Sequence, residues 1–254
     1  MSLQLGRALS EGATQLVSRT GAMLLGTYAV LIGAILPLSN TMFVRLYERA
    51  GLTTAAEALP LALDVSLSVA VAGYLGVALA STYVSVVAIR TFVAGARESF
   101  PDGAFTRNVP LAIVNVVVGG VAYSVLVTLG TLALVVPGII AYVAFVFMVP
   151  YIAVEDRNFV AALRESYRLS KGHWLLLFAL VVIVVAAASV VGGVGGLAAA
   201  LLLPPAAGQL ALVLVQAPVS VYVLAVIAAA FNQLRGDAEP SESTPNADTP
   251  STPV

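Results

Sequence analysis

From Trp174 to Leu234 the chain reads WLLLFALVVIVVAAASVVGGVGGLAAALLLPPAAGQLALVLVQAPVSVYVLAVIAAAFNQL, 61 residues without Asp, Glu, Lys or Arg. A membrane-spanning helix needs about 20 apolar residues, because about 30 Å of hydrocarbon is crossed at about 1.5 Å per residue. This stretch is long enough for two spans, and Pro204-Pro205 is a turn signal that divides them. Three shorter spans would also fit into its length.

Three other charge-free runs have the length of membrane spans. They comprise 25 residues between Arg19 and Arg45, 25 between Asp64 and Arg90, and 47 from Asn108 to Val154. The last of these is divided by Pro137-Gly138 and so holds two helices. We therefore predict six spans, approximately at residues 21–44, 62–91, 109–134, 137–154, 174–198 and 207–234.

The composition excludes most other classes of protein. Hydrophobic residues make up 60% of the 254 residues and charged residues 10%, whereas a soluble domain has roughly 25% charged residues. A soluble globule, a disordered chain and a nucleic-acid-binding domain are excluded for the main body. A membrane β-barrel needs alternating polarity, and these runs are apolar on all sides. The predicted fold class is an all-α, polytopic transmembrane helix bundle.

The basic residues predict the orientation, because cytoplasmic loops are rich in Lys and Arg. With six spans and a cytoplasmic N-terminus, ten of the twelve basic residues lie inside and only Arg45 and Arg49 lie outside. We expect a multi-pass protein of the plasma membrane with both termini in the cytoplasm. Its expected divisions are a cytoplasmic N-terminal segment 1–20, with a short surface helix, a six-helix domain 21–235, and a disordered acidic tail 236–254.

Local signals refine the helices. Asn108 is a candidate N-cap for the third span, and Pro150 and Pro218 are expected to kink the fourth and sixth spans. The glycines of residues 192–196 indicate either a close-packing face or the end of the fifth span. Both readings stay open at this level.

The segment between spans four and five predicts a short amphipathic helix on the inner membrane surface. Asn158 is a good N-cap and Gly172 a good residue to end the helix. Phe159, Leu163 and Tyr167 form an apolar stripe expected to face hydrocarbon or the bundle. Three basic residues lie on another side of this helix: Arg164, Arg168 and Lys171. They are candidate contacts for lipid headgroups. The alternative is that they only make this an ordinary positively charged inner loop.

Polar residues inside the predicted spans are the other candidates for a site. They are Asn115, Gln216 and Ser220. Gln216 and Ser220 lie one helical turn apart, and they either line a cavity or hold the bundle by interhelical hydrogen bonds. Asp64 and Arg90 bracket the second span, so we expect them near opposite interfaces, where they need not be buried.

Nothing in the sequence indicates a catalytic site, a cofactor or a metal centre. Cysteine is absent and His173 is the only histidine, whereas metal sites need three or four ligands. His173 beside Trp174 is expected to be an interfacial residue. Glu155 and Asp156 are expected to be solvated loop acids, the alternative being contact with a cation.

A pattern from Pro137 to Gly172 resembles a known family. It reads PG-x11-P-x4-E-x6-AL-x2-S-x2-L-x-KG, which resembles the membrane domain of some glycerophosphodiester phosphodiesterases and of related stand-alone bacterial and archaeal proteins. The ending Phe231-Asn232-Gln233-Leu234-Arg235 resembles that family's final helix. The resemblance implies a helical membrane module without the catalytic barrel, which needs roughly 200 residues or more.

The sequence therefore favours a non-catalytic membrane module that organises lipid or a partner protein, with no nucleic acid and no cofactor. A small-solute permease is the alternative, although a permease is expected to hold ionisable residues near the midplane. A lipid-modifying membrane enzyme fits least, because it needs clustered His, Asp or Glu. The substrate, the protein partner and the oligomeric state are not indicated.

Overall fold

A computed structural model describes residues 3–238 of the chain, with ten α-helices and no strand in that part. The helices are α1 (Leu5–Leu16), α2 (Arg19–Arg49), α3 (Thr53–Glu57), α4 (Leu67–Val93), α5 (Val109–Ala133), α6 (Val135–Ala144), α7 (Met148–Glu155), α8 (Phe159–Ser170), α9 (Trp174–Leu202) and α10 (Pro205–Ala238). The predicted acidic tail lies outside the described residues from residue 239 onward.

Among residues 3–238, six helices are long and apolar enough to cross a membrane, which confirms the predicted all-α fold with six spans. They are α2, α4, α5, the combined segment Val136–Glu155, α9 and α10. The second span begins at Leu67, five residues later than expected. The reason is a cap: the Ser66 hydroxyl accepts a hydrogen bond from the Val69 amide at 3.4 Å, which fixes the helix start there.

Proline interrupts the fourth span but not the sixth. Residues 145–147 form a turn between α6 and α7, whereas Pro218 lies inside the continuous α10. Pro150 has no N–H to donate to the carbonyl of Val146, and its ring crowds that carbonyl. The predicted kink of the fourth span is therefore a complete break, located one turn before the proline.

The glycine run of residues 192–196 does not end the fifth span. Helix α9 continues to Leu202, and a two-residue connection leads to Pro205. A side chain at Gly195 would meet Val215 of α10 at 3.2 Å, so part of the run lets α9 approach α10 closely.

Helix α1 packs along α10 and brings both ends of the described chain to the same end of the bundle. The Gln4 amide donates to Gln233 Oε1 at 3.1 Å, and the Tyr222 hydroxyl donates to the carbonyl of Leu9 at 3.3 Å. A Cβ at Gly12 would lie only 2.5 Å from Val226. Glycine is therefore needed where the two helices cross, and the even number of spans is consistent with this contact.

The core lies toward that same end, which we call the terminal end. Its largest fully buried side chains include Ile89, Phe147, Ile152 and Phe231, and the rings of Tyr151 and Phe231 pack edge to face at 5.1 Å. Toward the other end, long runs of Val and Leu on α5 and α9 are exposed. Such exposure fits helices surrounded by hydrocarbon rather than by water.

Candidate functional site

Helix α8 is the amphipathic segment that the sequence predicted. The Asn158 side chain accepts a hydrogen bond from the Ala161 amide at 2.9 Å, and Gly172 adopts φ +90° after the helix ends. Both boundary signals are thus confirmed. By contrast, Asn108 precedes α5 in a left-handed conformation and makes no side-chain cap, so that predicted capping bond is wrong.

The fully buried face of α8 consists of small residues. They are Ala162, Ser166 and Ser170, spaced one turn apart and all at 0% exposure. Phe159 and Leu163 pack against the core beside them, whereas Tyr167 is 40% exposed and its ring lies 6.0 Å from that of Trp174. Helix α8 is therefore seated in the bundle by a small, polar stripe.

This stripe fills the break in the fourth span. Ser166 Oγ accepts a hydrogen bond from the Phe147 amide at 3.1 Å and donates to the carbonyl of Ala144 at 2.9 Å. The Ser170 hydroxyl lies 3.2 Å from the same carbonyl. Buried backbone groups need partners, above all where no water reaches them. Helix α8 supplies the partners that the broken helix lacks.

Asn115, a predicted polar contact, joins α5 to the start of α8. Its Oδ1 accepts from the Phe159 amide at 2.9 Å, and its Nδ2 donates to the carbonyl of Leu111 at 2.8 Å. One turn further, a Cβ at Gly119 would lie 3.0 Å from that of Phe159. Asn115 is therefore a packing contact between two helices.

The other two predicted polar residues do not join Asn115. The Ser220 hydroxyl donates to the backbone carbonyl of Gln216 at 3.0 Å, and the Gln216 side chain is exposed. A hydroxyl bonded within its own helix gives no interhelical contact. The structure thus brings Ser220 and Gln216 together on α10, away from α8.

The loop acids after the fourth span are paired rather than solvated. Glu155 lies 3.3 Å from Arg235 and 3.5 Å from Arg157, and Arg157 lies 3.2 Å from Glu165. The expectation of solvated acids is therefore wrong for Glu155, whose side chain is only 19% exposed. Two acids and two bases form a neutral chain of ion pairs that joins α7, α8 and α10.

Asp156 belongs to a second cluster that sequence reasoning missed. Its carboxylate lies 3.2 Å from Arg107 Nε and 3.7 Å from Arg90 Nη2. Arg90 Nε also donates to the carbonyl of Ala153 at 2.6 Å, and Nη1 to that of Ala104 at 3.1 Å. Arg90 lies near the end of its span, where the sequence did not require burial, and its side chain is only 5% exposed. It holds the end of α7 and the loop between α4 and α5.

Three basic side chains of α8 remain outside these clusters. They are Arg164, Arg168 and Lys171, all exposed, and we call them the basic face. Within residues 3–238, the structure places no carboxylate at ion-pair distance from any of the three, because Glu165 and Glu155 are engaged by Arg157 and Arg235. The basic face is therefore an uncompensated patch of three positive charges.

In the described part of the chain, no group of three or more His, Cys, Asp or Glu residues is arranged to hold a metal ion. His173 lies at the start of α9 beside Trp174, half-buried. The charged groups described at this end of the bundle are arginine, lysine and carboxylate side chains.

Comparison with known proteins gives one family. The sequence model described as "Domain of unknown function (DUF7847)" matches residues 3–234. No curated protein and no solved structure matches the chain. Nothing in these comparisons links it to glycerophosphodiester phosphodiesterases, so the resemblance noted in the sequence stays a resemblance.

Proposed function

The chain belongs to the DUF7847 family, a domain of unknown function, and we propose that it is a non-catalytic membrane module that binds acidic lipids at the basic face. The observation that carries this proposal is the uncompensated charge of Arg164, Arg168 and Lys171, all exposed on a helix seated among apolar spans. Lipid phosphates carry the negative charge that could form ion pairs with these three side chains.

The spacing of the basic face suits a row of headgroup oxygens. Arg164 and Arg168 lie one turn apart and Lys171 follows at the helix end, so the row is about 10 Å long at about 1.5 Å per residue. Arginine binds phosphate in a bidentate manner and lysine acts as a point charge. The helix dipole also favours cations at the last turn, which accounts for part of their placement without any lipid.

The proposed orientation places the basic face at the inner leaflet of the plasma membrane. Helix α8 follows Glu155 at the terminal end, where ten of the twelve basic residues were assigned from the sequence. The inner leaflet carries acidic lipids, and each base near it contributes about 1 kcal/mol. Three bases contribute about 3 kcal/mol, or roughly 100-fold in binding constant, before salt screening.

The broken fourth span favours a permease as the second candidate. Transporters bind ions and substrates at interrupted helices, where backbone groups are free. Here the carbonyl of Ala144 and the amide of Phe147 are both bound by Ser166. These contacts support a structural role for the break, and they leave the lipid-binding module as the first proposal.

Native mass spectrometry after equilibration with mixed lipids tests the proposal. The lipids are phosphatidylglycerol and phosphatidylcholine with identical chains, and the variant replaces Arg164, Arg168 and Lys171 with Gln. The control variant carries Gln at Arg7, Arg19 and Arg97, three other exposed bases. It removes the same charge from elsewhere on the chain.

We expect the parent and the control variant to retain phosphatidylglycerol in preference to phosphatidylcholine. The α8 variant is expected to lose most of that preference. Equal preference in all three proteins would show that the basic face is only a topological anchor. An equal loss in both variants would show that net charge, and not this face, attracts the lipid.

A further inference from the structure

An apolar groove lies between the broken fourth span, α9 and α10. Its volume is about 180 Å³, and its lining includes Tyr142, Val146, Leu177, Val181, Val184 and Ile227. An apolar cavity of roughly 150 Å³ stays dry and accepts a molecule the size of benzene. The groove therefore has room for a segment of hydrocarbon, and its mainly apolar lining does not favour bound water.

The groove ends beside the C-terminus of α8. The Ser170 hydroxyl lies 3.2 Å from the carbonyl of Ala144, which is located between the groove residues Tyr142 and Val146. On the other wall, Leu177 lies one turn after Trp174 in α9. The segment from Lys171 to Trp174 thus joins the basic face directly to the groove.

We propose that the groove holds a segment of one hydrocarbon chain of the same acidic lipid whose headgroup the basic face binds. This inference rests on the proposed function, because it takes the basic face as the headgroup site. The occupant is argued from the surroundings. The groove lies among six helices long and apolar enough to span a membrane, where an empty void would forfeit dispersion contacts and where lipid chains are the available filler.

The groove is expected to affect which lipid chains are bound more than how tightly the lipid is bound. A lipid chain leaves hydrocarbon to enter an apolar groove, so little hydrophobic free energy is gained. Packing against fixed walls instead favours chains that match its shape. The charged contacts of the basic face therefore supply the binding, and the groove determines where the bound lipid's chain lies.

Trp174 provides an intrinsic probe, because the protein has only this tryptophan. The protein is reconstituted in phosphatidylcholine vesicles that contain a minor fraction of phosphatidylglycerol brominated in one chain. Bromine quenches tryptophan fluorescence at short range. Phosphatidylcholine brominated in the same chain, at the same fraction, measures quenching without headgroup recognition. The excess quenching by the acidic lipid reports a chain held beside α9.

Two adjacent valines give a matched pair of variants. Val181→Phe adds a ring into the groove, whereas Val182→Phe adds the same ring at a position that is 45% exposed and outside the groove. Ala188→Leu, also in the groove, is the second test if Val181→Phe does not fold. We expect the groove variants to lose most of the excess quenching and Val182→Phe to keep it.

The results separate the two proposals. If the parent shows excess quenching and the groove variants keep it in full, a headgroup is bound but its chain lies elsewhere, and the groove inference is overturned. If the parent shows no excess quenching at all, no chain of the acidic lipid is held beside α9 and the groove inference is overturned, whereas the acidic-lipid proposal is decided separately by the native mass spectrometry. Loss of the excess in Val181→Phe and Val182→Phe alike would also overturn the inference, because the effect would not depend on the groove.

Discussion

Ser166 Oγ and the backbone amide of Phe147 lie 3.1 Å apart, although 19 residues separate them in the chain. The same hydroxyl donates to the carbonyl of Ala144 on the other side of the break. One side chain of α8 thereby bridges the two halves of the fourth span. The helix that carries the basic face is consequently fixed in the bundle rather than loosely attached to its surface.

Replacing Ser166 with Ala is expected to destabilise the protein by about 1–3 kcal/mol, because it leaves the buried Phe147 amide without its partner, whereas the Ala144 carbonyl keeps the Ser170 hydroxyl. Thermal unfolding in detergent measures the effect. Ser220→Ala is the control, since that hydroxyl bonds only within its own helix. Equal melting temperatures for the two variants would show that the break does not depend on α8.

Arg90→Gln is expected to be among the most destabilising single changes at this end of the bundle, by about 3–5 kcal/mol. The buried guanidinium binds two carbonyls and faces Asp156, and removing one partner leaves buried groups unpaired. Arg97→Gln, at an exposed position of the following loop, should change stability little. Chemical denaturation of both variants makes the comparison, and a stable Arg90→Gln protein would argue against the buried cluster.

Leu163→Asp and Arg164→Asp are expected to act on different properties. Leu163 packs against the core, so a carboxylate there is buried without a partner and destabilises the fold. Arg164 is exposed, so Asp at that position should leave the melting temperature almost unchanged and weaken the retention of phosphatidylglycerol. Similar melting temperatures for the two variants would contradict the assigned faces of α8.

The orientation is tested by single cysteines, which the absence of native cysteine makes unambiguous. Cysteine at Ser2 or Ser241 is expected to resist a membrane-impermeant thiol reagent in intact cells, whereas cysteine at Thr53 should react. Permeabilised cells provide the control, in which the first two positions become reactive. Reaction of the Ser241 position in intact cells would contradict the proposed topology.

The sequence predicts the spans well because their signal is local. A charge-free run of sufficient length is a property of one segment, and α2, α5 and α9 lie close to where such runs place them. The ends of α8 follow for the same reason, because Asn158 caps its own helix. Each of these features is decided by neighbours within a few residues.

What the sequence did not indicate depends on segments far apart in the chain. Ser166 is buried because it meets a break formed by Pro150 in the preceding span, and a pattern within α8 alone shows only a polar residue. Arg90 is buried because it meets Ala153 and Asp156, more than 60 residues later. Those contacts arise only when α4 and α7 pack together. The groove beside α9 likewise has walls from three separate spans.

A structure determined in a lipid bilayer that contains phosphatidylglycerol would show whether the basic face binds an acidic lipid. We expect a lipid phosphate within hydrogen-bonding distance, about 2.7–3.2 Å, of nitrogen atoms of Arg164, Arg168 or Lys171. A basic face without any lipid headgroup, together with a water-filled polar cavity that reaches the middle of the bundle, would contradict this expectation and favour a permease.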